Sequence, residues 1–133
     1  MIRFRFVVAA LPLLLLAGCG TDGRAAAVTS VATRMLQAVA QSDGTTACDL
    51  LAPRTAAELA DSEDKSCSDA ILQQHLPAPG RTRSAQVFGQ WAQVRLDGDT
   101  VFLAAFPDGW RVVAAGCTPR REDEPYNCTV QGS

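Results

Sequence analysis

The sequence predicts an α+β domain, with N-terminal helices packed on a four-stranded antiparallel meander and two disulfides as staples. Three observations predict it. Apolar residues recur at helical spacing up to about residue 75 and alternate from about residue 83 onward. Glycine-containing turns, Asp97-Gly98-Asp99 and Pro107-Asp108-Gly109, punctuate the second half. Five cysteines occur, and four of them fall inside the domain.

The helices come first. In Ala25–Gln41, Val28, Val31, Ala32, Met35, Leu36 and Val39 share one face. Asp43-Gly44 is expected to end that helix, with glycine in a left-handed cap. Thr46 is the expected N-cap of a short helix, Ala47–Leu51, and Pro53 opens another, running to about Ala60. Ser66 caps a last one, Cys67–His75, with Asp69 favourable in its first turn. Pro77, Pro79 and Gly80 close the helical half.

Four strands follow: Arg83–Phe88, Trp91–Leu96, Thr100–Phe106 and Trp110–Ala115. Pairing through Asp97-Gly98 joins Ala92, Val94 and Leu96 to Val101, Leu103 and Ala105 on the face toward the helices. Trp91, Arg95, Phe102 and Phe106 then share the opposite face, a candidate interaction surface. Trp110 and Arg111 join it or leave it according to the register of the last strand, which a two- or three-residue turn at Asp108 decides.

Residues 1–18 have the build of an export signal. Arg3 and Arg5 precede an apolar run, Val7–Leu16, and small residues follow at Ala17 and Gly18. The run is shorter than the roughly 20 residues that a spanning helix needs. Leu16-Ala17-Gly18-Cys19 resembles the lipobox of bacterial lipoproteins. That resemblance implies acylation of the Cys19 thiol and cleavage before it, with residues 19–24 as lipidated cysteine and short tether and 25–133 as a single domain. The mature chain is expected on the extracytoplasmic face of the cell membrane, held by lipid and not spanning.

Setting Cys19 aside leaves an even set, Cys48, Cys67, Cys117 and Cys128. In an exported chain this reads as two disulfides. Three pairings are open; Cys48–Cys67 and Cys117–Cys128 are expected, the first stapling two helices and the second pinning the tail to the last strand. Each closed loop is worth roughly 3 kcal/mol in the chain-entropy model. Metal binding by the cysteines is not expected, because no C-x-x-C occurs and His75 is the sole histidine.

Cleavage of the signal leaves 14 acidic side chains against ten basic ones. This balance argues against nucleic acid or an anionic lipid face as partner, since both call for a basic patch. No catalytic or cofactor motif is present. His75 lies near an expected helix end, where a charged imidazole complements the dipole. Asp49 and Glu58 are the helical carboxylates nearest apolar residues, Tyr126 is the sole tyrosine, and Arg120–Glu124 reads as a solvated loop.

The stretch VFGQWAQVRLDGDTVFLAAFPDGWRVVAAGC, with ACDLL and CSDAI upstream, resembles small lipoproteins of actinobacteria. The resemblance covers most of the mature chain and implies no particular activity. The element order also resembles the nuclear-transport-factor-2-like, or cystatin-like, cone, although fewer strands are counted here than that cone usually has. The cone would imply a carboxylate base and an oxyanion donor inside it if the chain were an enzyme. The leading expectation is a binding module at the envelope, taking a protein or a small apolar ligand. A small cone enzyme, or a carrier with a helix–sheet pocket, is the alternative.

Overall fold

A computed structural model describes residues 21–132; Cys19 and the signal segment lie outside the described residues. Four helices, α1 (Thr21–Ala40), α2 (Gly44–Asp49), α3 (Pro53–Glu63) and α4 (Cys67–Leu72), precede five strands. These are β1 (Thr82–Phe88), β2 (Trp91–Leu96), β3 (Thr100–Phe106), β4 (Gly109–Thr118) and β5 (Asn127–Gln131), in one antiparallel sheet of order β1-β2-β3-β4-β5.

The class is α+β, and the strand count is five instead of four. The fifth strand is short and follows a charged loop, so its signal is weak. Two residues hold it: Cys128 stands opposite Cys117, bonded to it, and Val130, 1% exposed, stands opposite Ala115. The polar loop between β4 and β5 carries an Arg120–Glu124 ion pair at 3.3 Å.

Val28, Ala32, Met35 and Leu36 of α1 are fully buried, as are Val94, Val101, Leu103, Val112 and Ala115 of the sheet. This is the inner face, packed against the helices. Their burial is the main driving force, at about 25 cal/mol per Å² of apolar surface. The Cys48–Cys67 bond ties α2 to α4. Gly44 makes that closeness possible, since a Cβ there would stand 2.0 Å from the Ser68 carbonyl oxygen.

Local details differ from expectation. Helix α1 begins at Thr21, so the residues read as a tether, from Thr21 to Arg24, are its first turn. Ser42, φ 58°, takes the left-handed position expected of Gly44. Asp43, not Thr46, caps α2, accepting from the Thr46 amide at 3.1 Å. Helix α3 runs on to Glu63, and α4 stops at Leu72, leaving exposed His75 beyond it with φ 55°. Ser66 caps α4 as expected, accepting from the Asp69 amide.

The free edge of β4 is covered twice. Its first half bonds Leu50–Ala52 in parallel, through Ala52 N–H to Val112 O (2.7 Å) and Val112 N–H to Leu50 O (2.9 Å). Its second half pairs with β5. Covering an edge removes a template for unwanted pairing, and here it also brings the start of α3 beside the sheet.

Candidate functional site

The outer sheet face carries Trp91, Gln93 and Arg95 from β2, and Phe102, Ala104 and Phe106 from β3, with Trp91 opposite Ala104 and Gln93 opposite Phe102. Two large aromatics on this face lie in the open. Trp91 is 61% exposed, and so is Phe88, its partner across the two-residue turn Gly89-Gln90. Phe102 and Phe106 are half-buried. The turn Pro107-Asp108 is also two residues long, pairing Phe106 with Gly109, and this register turns Trp110 to the inner face, beside Ala105. Trp110 therefore leaves the outer patch. Arg111 stays beside Ala104, held by the Asp49 carbonyl and the Asp108 carboxylate.

The tail divides this face. Tyr126 meets Phe102 edge-on, with ring centroids 5.1 Å apart and planes at 74°. The Gln93 amide donates to the Tyr126 hydroxyl at 3.1 Å. Tyr126 packs on the outer sheet face and not in the core; its position comes from the β4–β5 hairpin, which the sequence pattern did not disclose. On either side of the Phe102–Tyr126 pair lies a groove.

The first groove, about 300 Å³, is mostly apolar. Trp91, Ala104, Phe106 and Val113 of the sheet line it, with Ala52, Arg54 and Thr55 at the start of α3 and Gly132 past β5. Pro53 starts α3 at the first helical position, where its missing N–H costs no helix bond. The Thr55 hydroxyl donates to the Val113 carbonyl at 3.1 Å, and the Gly132 amide donates to the same oxygen at 3.1 Å. A side chain at Gly132 would collide with Thr55, its Cβ 2.6 Å from Thr55 Oγ1. Arg54 pairs with Glu58 at 3.0 Å.

The second groove, about 210 Å³, is polar and includes Arg95, Asp97, Asp99, Thr100, Pro119 and Tyr126. Asp99 is 6% exposed. Its carboxylate accepts from the amides of Thr100 (2.7 Å), Gly116 (2.9 Å) and Cys117 (2.9 Å). Burial pushes its pKa up, against the pull of the three amides. Gly116, φ 65°, sits in the bulge where β3 and β4 slip register, and Asp99 satisfies the amides that the bulge frees from the ladder. The hairpin turn thus does more than reverse the chain. Asp97, two residues away, is held below the usual carboxylate range by the Arg81 amide and by Arg83.

The other singled-out residues stand apart from both grooves. Asp49 is exposed and closes α2, and Glu58 faces Arg54. Among the described residues, no three histidine, cysteine or carboxylate side chains cluster as a metal site, and no helix is long and apolar enough to cross a membrane. Phe88 and the α3 contribution were absent from the sequence-derived patch. Phe88 was within reach, because Gly89-Gln90 makes a two-residue turn that sets it opposite Trp91; the α3 residues come from a long-range bridge with no local signal. No protein-family model, curated protein or solved structure matches the chain.

Proposed function

We propose that this protein is a lipid-anchored binding module of the extracytoplasmic membrane surface, acylated at Cys19, with its outer sheet face as the recognition surface. The partner is an envelope protein that inserts an apolar side chain into the groove between Trp91 and α3. One observation carries the reading: a mostly apolar groove of about 300 Å³, lined by Trp91, Ala104, Phe106 and Val113, stands open on the outer sheet face against the start of α3. Soluble chains rarely leave such side chains together unless something docks there. Two disulfides support an oxidising, extracytoplasmic setting. The polar side chains that line the groove, Arg54 and Thr55, are committed to Glu58 and the Val113 carbonyl, which favours binding over acid–base chemistry.

A photo-crosslinking residue at Phe106, in cells, tests this reading against one at exposed Gln73, just past the end of α4. A protein adduct of one defined mass from position 106 only, lost on Trp91→Ala, is expected. Adducts of equal pattern from both positions would defeat it. A small apolar molecule retained in the native mass of the domain, and released on denaturation, would replace the protein partner by a carried ligand. Cys19→Ala is expected to abolish membrane retention, read by fractionation; unchanged retention would refute the anchor.

A further inference from the structure

We infer that the β1–β2 hairpin tip, Phe88 to Trp91, enters the lipid interface beside the anchor, so that the domain meets the membrane at a second point. The inference rests on the proposed acylation of Cys19. The position of the tip follows from α1. Arg24, in the first turn of that helix, donates to the Gly89 carbonyl at the tip, and its guanidinium lies 5.4 Å over the Trp110 ring. The N-terminus of α1 and the tip therefore occupy one end of the domain. Thr21 precedes Arg24 by three residues, about 4.5 Å of helix. Cys19 lies two residues before Thr21, and two peptide units span at most about 7 Å. A lipid on Cys19 thus holds this end of the domain against the bilayer.

The chemistry of the tip suits that place. Phe88 and Trp91 are each 61% exposed, and the residues between them, Gly89 and Gln90, are uncharged. Tryptophan partitions into the zone between headgroups and acyl chains, where its ring is apolar and its N–H stays wet, and phenylalanine adds apolar surface beside it. The same end also holds Arg24 and the Asp108–Arg111 pair, both engaged in contacts at the base of the tip, while the opposite end carries Asp97 and Asp99. Insertion is driven by aromatic burial and not by a basic patch, so zwitterionic lipid suffices. A second contact also adds to a covalent lipid anchor and fixes the orientation of the domain.

The test uses the purified acylated chain in phosphatidylcholine vesicles, with or without bromine on the upper part of one acyl chain. Bromine quenches nearby indoles, and the difference between wild type and Trp91→Phe isolates Trp91 from the inner-face Trp110. Loss of most of the Trp91 emission in brominated vesicles, with protection from aqueous iodide, is expected; Phe88→Ser should reverse much of both. Trp91 unquenched by bromine and open to iodide, in protein whose mass shows the acyl groups, overturns the inference and leaves the anchor standing. A mass without acyl groups, with protein free of vesicles, overturns both.

Discussion

The two ends of the sheet are built on different plans. At the end holding the β2–β3 turn, Asp99 binds three amides, Asp97 ties down Arg81 and Arg83, and the Cys117–Cys128 bond joins β4 to β5. At the other end, Arg24 and Arg111 make the cross-links, and Phe88 and Trp91 project outward. One end is fastened internally, and the other presents surface. Stability and recognition are thereby placed at opposite ends of one short sheet, so substitutions should sort by position and not by residue type.

Asp99→Ala should have the largest effect on stability. It leaves amides of Thr100, Gly116 and Cys117 without their acceptor in a buried bulge, at a cost of about 3 kcal/mol. Urea denaturation measures it; a loss below 1 kcal/mol would mean that the bulge relaxes and that this end is not fastened by Asp99. Removing the Cys117–Cys128 bond by paired alanine substitution should cost nearly as much, about 3 kcal/mol for a sequence separation of 11.

Tyr126→Ala should cost about 1 kcal/mol, through the lost ring contact with Phe102, and should join the two grooves into one. Trp91→Ala should change stability by no more than about 0.5 kcal/mol, since the ring is mostly in water, while removing the crosslinked adduct. A large stability loss from Trp91→Ala would contradict the division between the two ends.

The titration of two neighbouring aspartates sharpens the same contrast. Asp99 should titrate above 3.8 and Asp97 below it, read by carboxyl NMR shifts. For Asp99 the folded pKa is raised, so its linked contribution to stability is full below pH 3.8 and is lost as pH rises through the folded value. For Asp97 the sign is reversed: its contribution is present above 3.8 and is lost as pH falls through the depressed value. Asp99→Asn should remove the first dependence and leave the second.

The α+β order was legible because α1 and strands β2 and β3 carry strong periodicity. Ala92, Val94, Leu96, Val101 and Leu103 are buried on the face that alternation assigns to them. Strand β5 was not legible: Asn127–Gln131 has two inward residues, follows a charged loop, and gains its identity from a partner strand. The same cause hid Tyr126 and the dividing pair it makes with Phe102. Trp110 depended on one residue of turn length, which local sequence leaves open. Asp99 reads locally as turn chemistry, and only the Gly116 bulge, 17 residues later, reveals why its carboxylate is buried. The groove itself needed the bridge between Leu51 and Val112, a pairing of segments about 60 residues apart.

Gly132 has a practical bearing on every binding experiment. Its amide is fixed to the Val113 carbonyl, and it lines the apolar groove against Thr55. Chain appended beyond it emerges at the groove's rim. An affinity tag or fluorescent protein fused there would compete for the same space and report a functional chain as inert. Labels belong instead at the far end, in the solvated loop of residues 120–124, where a reporter leaves the aromatic face clear.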